Sequence, residues 1–162
     1  MGVLKRISLI VLVAGSCVGC DQVTKGIAKS GLLDSNPVSL FGDTIQLQYE
    51  ENHGGMLSLG VGLSPEGRFL VLTVFVGICL FGFLLFAIMN HMLRLPHIVG
   101  LSLVVGGGLG NLLDRLTNNG AVIDFLILEI GSVRTAVFNL ADVAIVIGFV
   151  SLLLSIRIEQ KV

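Results

Sequence analysis

Two aspartates stand where a carboxylate needs a reason. Asp142, in Phe138-Asn139-Leu140-Ala141-Asp142, lies near the start of an otherwise apolar run from Ala136 to Ile156. A carboxylate inside a membrane-spanning segment costs at least about 2.5 kcal/mol on insertion scales. Asp124, in Gly120-Ala121-Val122-Ile123-Asp124-Phe125, is separated from it by a short hairpin-like stretch, so the chain can bring the two together. Two carboxyls in one poorly solvated pocket cannot readily both ionise, and the pair titrates as a unit. One carboxylate can then take a proton from water while the other, protonated, polarises a peptide carbonyl, which is the chemistry of an aspartic endopeptidase. On the carboxylates alone a second reading has equal standing. In it Asp142 is the titrating group of a small transporter or proton-coupled subunit, or an acid paired with an arginine, and Asp124 is a loop acid.

The polar neighbours shift the balance towards a site. Asn111, Asp114 and Arg115 fall at i, i+3 and i+4, so on a helix they share one face. Asn139 stands one turn before Asp142. For Asp114 taken alone, a salt-bridge belt at the membrane surface is the simpler reading. His53 lies in a glycine-rich loop, with His91 and His97 far along the chain, too scattered for a metal site, and no Ser-His-Asp set is apparent. No metal or cofactor is expected. Cys17, Cys20 and Cys79 all sit in apolar stretches and read as buried lining. Cys17 and Cys20 form a CxxC that lacks the nearby His or second pair of a redox or zinc centre.

The elements that must position these residues follow from composition. The chain has 162 residues, 54% hydrophobic and 13% charged, against about 25% charged in soluble domains. This describes one small polytopic membrane domain. The net charge of −1 points to no nucleic-acid partner; the partner is the lipid bilayer. Four spans are expected, at about 5–25, 68–89, 95–114 and 136–157, each near the 20 residues that a bilayer core requires. Ser64-Pro65-Glu66 marks the start of the second with a cap, a proline at the first helical position and an early acid. Gly106 and Gly110 have the spacing that lets membrane helices approach closely. The first segment, Lys5-Arg6 followed by the uncharged Ile7 to Cys20, reads as a retained span. The alternatives are a signal-peptide core or a lipoprotein anchored at Cys20 after Val18-Gly19.

Lys5, Arg6, Arg94, Arg157 and Lys161 flank short inner segments. Lys25, Lys29, Arg68, Arg115 and Arg134 are spread over the longer regions 26–67 and 115–135. The density of basic residues therefore puts both termini in the cytoplasm and those two regions outside. Within them, Asp43 to Tyr49 alternates with period two and reads as a strand, with Ile45, Leu47 and Tyr49 on one side. A second strand is expected over Ala121 to Leu128.

Five blocks in order resemble the lipoprotein signal peptidases (signal peptidase II). They are Asp21-Gln22-Val23-Thr24-Lys25, Asn52-His53-Gly54-Gly55-Met56-Leu57, Gly107-Gly108-Leu109-Gly110-Asn111-Leu112-Leu113-Asp114-Arg115, Val122-Ile123-Asp124-Phe125 and Phe138-Asn139-Leu140-Ala141-Asp142. Each is weak alone; together, on a four-span layout, they are specific. The resemblance implies an all-α polytopic fold with a small extracytoplasmic β-containing region, in the bacterial inner membrane, acting as a monomer. The implied activity is an aspartic endopeptidase that removes the signal peptide from a diacylglyceryl-modified prolipoprotein, cutting before the lipidated cysteine. It also implies Asp124 and Asp142 as the catalytic pair, and Asn52, Gly54, Asn111, Arg115 and Asn139 as the lining of the substrate site. Asp21 and Lys25 would support them, together with Asp114 and Gly107 of the third block. Two departures stand out. Gly55-Met56-Leu57 replaces the family's usual Ala-Ala-Phe, and the loop from Leu116 to Ile123 is one residue longer, an excess that the Asn118-Asn119-Gly120 turn, suited to positive φ, can absorb.

Overall fold

A computed structural model describes residues 1–42, 44–55, 60 and 62–159. Asp43, at the head of the first expected strand, Met56 and Leu57 of the second block, and Lys161 lie outside the described residues.

Helix α1 (Val3–Leu32) is continuous through Cys20 and well past residue 25. Its buried residues, Arg6, Ile10, Ala14, Asp21, Lys25 and Ala28, recur every three, four or seven positions, so they form one inward stripe on a 3.6-residue helix. A short hairpin follows, β1 (Val38–Leu40) and β2 (Ile45–Asn52). Helix α2 (Pro65–Met89) opens as the sequence suggests, with Ser64 Oγ accepting the N–H of Gly67 at 3.1 Å. Its stretch Phe69–Phe75 winds as a π-helix. Thr73, Leu80 and Ala87, two turns apart, are its buried residues, while Phe69, Phe75, Ile78 and Phe81 face outward. A helix whose exposed face is this apolar is built to meet hydrocarbon.

Helix α3 (Leu95–Thr117) is the centre of the bundle; it packs most closely on α4 (Leu140–Glu159), then on α1 and α2. Its glycines make this possible. A Cβ on Gly106 would stand 2.8 Å from the Ala14 Cα of α1, and one on Gly107 would run into the Ala141 carbonyl of α4. Helices α1, α2 and α3 are long and apolar enough to cross a membrane; the apolar stretch Leu140–Ser155 of α4 is shorter.

At one end of the bundle sits an antiparallel sheet of order β1-β2-β3-β4, completed by β3 (Val122–Ile130) and β4 (Val133–Arg134). Asn52 pairs with Val122 and Ile45 with Leu128, with a register shift between Leu47 and Glu50. That irregularity removes the clean alternation expected of Ile45, Leu47 and Tyr49, and residues 45–49 are all half-buried. Asn119 (φ 52°) and Gly120 (φ 86°) take the left-handed turn into β3. At the opposite end Arg6, expected as an interfacial flank, is buried at 1% exposure and donates from Nη1 to the carbonyls of Ala87, Ile88 and Asn90 at the end of α2. The cysteines are also not buried lining, since Cys20 is exposed and Cys17 and Cys79 half-buried.

The last helix begins at Leu140, not at 136. Phe138 pairs with Leu126 of β3 through N–H···O bonds of 2.9 and 2.8 Å, which holds the chain extended up to Asn139. Asn139 Oδ1 then accepts the Asp142 N–H at 3.0 Å, and Asp142 Oδ2 accepts the Asn139 N–H at 3.2 Å. This is a reciprocal capping box, which satisfies two otherwise orphaned donors and starts the helix there.

Candidate active site

The polar residues singled out in the sequence converge where the sheet meets the helix ends. Asp124, on β3, is 2% exposed. Its Oδ1 accepts the Asn139 amide at 2.7 Å and its Oδ2 accepts the Asn52 amide at 2.9 Å. Asn52 Oδ1 in turn accepts the N–H of Gly54 at 3.0 Å, so the start of the glycine-rich loop is tied to the same carboxylate. Burial pushes the Asp124 carboxyl up to about 6. The Asn52 hydrogen bond draws it back, and the nearby Asp142 charge raises it further.

Asp142 occupies the first turn of α4, half-buried, where its Oδ1 accepts the Asn111 amide at 2.9 Å. Asn139 therefore touches both aspartates. Its side-chain amide holds Asp124, its side-chain oxygen caps the backbone of Asp142, and its own N–H holds the Asp142 carboxylate. Its amide also reaches Asn111 Oδ1 at 3.0 Å and the Ile123 carbonyl at 3.2 Å.

Beneath the aspartates lies a cluster of charge with almost no access to solvent. Lys25 Nζ is 2.7 Å from Asp21 Oδ2, 2.8 Å from Asp114 Oδ2 and 3.0 Å from Asn111 Oδ1. These three bonds use all three donors of the ammonium. Asp21 Oδ1 accepts the backbone N–H of Ala141, and Asp114 Oδ2 accepts that of Ile123, both at 3.0 Å. Each acceptor thus holds the residue immediately before one of the two aspartates. Asp114 is 2% exposed, so it belongs to this cluster and not to a surface salt-bridge belt. Gly110 leaves the room required, since a Cβ there would stand 2.6 Å from Asp21 Oδ2.

Arg115 stands at the edge of this network. Its Nη1 reaches the Asn111 carbonyl on its own helix at 3.5 Å, and its Nε is buried with no hydrogen-bond partner among the described residues. Asp124, Asp142 and Asp114 are the nearby charges that favour its cationic form. Gln22 is a member that sequence reasoning did not single out. Its amide bonds Asp114 Oδ1 at 2.8 Å, the Gly110 carbonyl at 3.2 Å and Asp21 Oδ2 at 3.3 Å, joining α1 to α3. Only its place inside the first block hinted at this. The capping role of Asn139 was readable, because Asn-x-x-Asp before an apolar run carries a helix-start signature.

The family model described as Signal peptidase (SPase) II matches residues 13–158. The chain belongs to the signal peptidase II family. Among its relatives, the lipoprotein signal peptidase of Leifsonia xyli is 35% identical over 92% of this chain and 68% of that protein. The lipoprotein signal peptidase of Caldicellulosiruptor bescii is 34% identical over 75% and 73%. A solved bacterial membrane enzyme superposes with a TM-score of 0.82 at 26% identity, covering 95% of this chain and 90% of its own. This member of the family is a multi-pass membrane protein, mostly helical with a small antiparallel sheet.

Proposed function

We propose that the chain is an aspartic endopeptidase in which Asp124 and Asp142 share one proton and act on a peptide bond delivered at the sheet end of the bundle. The observation that carries this reading is Asn139, which holds both carboxylates through its side chain and backbone. A structural acid or a lone transport carboxylate needs no second aspartate oriented by the same residue. Family membership supplies the substrate class, the lipoprotein precursors that its relatives are named for. In this reading the substrate is a diacylglyceryl-modified prolipoprotein cut before its lipidated cysteine.

The chemistry runs on the chain's own groups. The ionised member of the pair takes a proton from a water whose oxygen attacks the scissile carbonyl carbon, while the protonated member donates to the carbonyl oxygen. The tetrahedral adduct collapses as the amine leaves with a proton from the pair. The substrate's signal segment is itself a membrane helix, whose backbone groups are already bonded to one another. Cleavage therefore needs that segment extended locally, and the sheet with Asn52, Gly54 and Arg115 offers polar groups to hold it. Asn111 and Asn139 orient the aspartates from below. Helix α4 serves as the fourth span, both termini face the cytoplasm, the sheet lies against the outer leaflet of the bacterial inner membrane, and one chain suffices.

The test is cleavage of a diacylglyceryl-modified prolipoprotein peptide by purified protein in detergent. Wild type should cut before the lipidated cysteine, and Asp124→Asn and Asp142→Asn should each abolish cutting while remaining folded. Normal cutting by Asp124→Asn would defeat the two-aspartate mechanism and leave Asp142 as a lone titrating group.

A further inference from the structure

A cavity of about 520 Å³ opens between the start of α2 and the end of α3, and its lining includes Arg68, Arg115, His53, Phe69, Leu72 and Thr73. Among the described residues no carboxylate contributes to its wall. Among the described residues neither arginine forms a salt bridge; both of the salt bridges there belong to Lys25. Arg68 spends one donor on the Leu63 carbonyl at 3.3 Å, which leaves its terminal nitrogens for another acceptor.

The depth of this cavity is set by the sequence. Arg68 immediately precedes the uncharged stretch Phe69 to Met89, and Arg115 follows, after Asp114, the uncharged stretch Leu95 to Leu113. Both cations thus mark the same end of two spanning helices, the level at which lipid headgroups lie. Below them the wall becomes apolar at Leu72 and at Phe69, which is 51% exposed, and it continues into the outward face of α2 through Leu70 and Phe75. A site with two cations at headgroup level and hydrocarbon-facing side chains beneath has the shape of an amphiphile with an anionic head.

We propose that this cavity binds the headgroup of an anionic phospholipid, with its phosphodiester between Arg68 and Arg115 and an acyl chain along α2. The site shares Arg115 with the substrate site proposed above, while Arg68 lies outside that assignment, and it is read by binding instead of cleavage. A guanidinium suits a phosphodiester because its planar fork donates two parallel hydrogen bonds.

The experiment uses the full chain in nanodiscs of phosphatidylcholine containing a minor fraction of phosphatidylglycerol, with retained lipids counted by native mass spectrometry. Phosphatidylglycerol should be enriched on wild type, and Arg68→Gln should lower that enrichment about fivefold, the worth of one basic residue at an anionic surface. His53→Gln, at an exposed position, should lower it less. Arg134→Gln, exposed on β4 outside the cavity, should leave it unchanged. Equal losses with Arg68→Gln and Arg134→Gln would overturn the proposal in favour of general surface charge. Displacement of the lipid by inorganic phosphate would overturn it in favour of a simple anion site. Unchanged lipid enrichment in Arg68→Gln, with slower cutting of precursors carrying acidic residues after the cysteine, would reassign the cavity to peptide.

Discussion

Asp21 on the first helix holds the backbone N–H of Ala141 on the last, 120 residues away, at 3.0 Å. Asp114 does the same for Ile123 at 3.0 Å, and Lys25 bridges the two carboxylates. The positions of Asp124 and Asp142 are therefore set by one buried cation, through the residue that precedes each. Removing one partner of a buried ion cluster leaves uncompensated charge and costs about 3–5 kcal/mol. Lys25→Met should lower the thermal midpoint in detergent accordingly and abolish cutting. A midpoint equal to wild type would mean that the cluster carries no net electrostatic weight.

Two adjacent glycines provide a contrast in steric tolerance. At Gly107 an added methyl meets the Ala141 backbone and lies 2.8 Å from Ile145 Cγ1. At Gly108 it meets only the Leu80 side chain, at 2.5 Å from Cδ2, and a leucine tip can rotate. Gly107→Ala should displace the first turn of α4, and with it Asp142. A shift of about 1 Å is enough to slow cutting about a hundredfold. Gly108→Ala should stay within a few fold of wild type. Rates measured on both purified variants decide this, and equal losses would contradict the packing argument.

In the proposed mechanism the pair needs one proton, and Asp124, pushed up to about 6, would supply the upper limb of the pH profile. Above that pH the shared proton is lost and kcat/KM should fall. Asn52 donates to the Asp124 carboxylate and so favours its ionised form. Asn52→Ala should raise the pKa and move the alkaline limb to higher pH, even where the maximal rate drops. A limb that stays in place would separate Asn52 from the titration.

The same raised carboxyl links folding to pH. Folded Asp124 holds its proton more tightly than the unfolded chain, so its stabilising contribution is complete below about pH 4 and is lost as pH rises through about 6. The difference amounts to at most about 3 kcal/mol, at ~1.4 kcal/mol for each tenfold. Thermal midpoints of wild type should decline over that window beyond the trend seen in Asp124→Asn. Parallel curves for the two proteins would remove Asp124 as the source.

The five blocks made the candidate site legible in the sequence because they are local, and the structure brings their polar residues to one end of the bundle. What local pattern could not carry was the partnership between blocks. Asp21 and Lys25, at i and i+4, look like an ordinary surface pair, and their burial depends on the space above Gly110 and on Asp114 arriving from another helix. Strand β4 is two residues long, too short for alternation to register. Helix α4 starts at Leu140 and not with the apolar run at 136; hydropathy cannot tell an apolar strand from an apolar helix. Phe138 satisfies its backbone on Leu126, and only the Asn139–Asp142 box marks where the helix begins.

The Lys25 cluster also bears on when such an enzyme becomes dangerous. Its carboxylates draw on α1, α3, β3 and α4 at once, so no subset of these elements places both aspartates. A nascent chain emerging into the bilayer segment by segment would carry two separate, inert acids until its final helix docks. Incompleteness would thus keep the proposed protease silent during its own biogenesis.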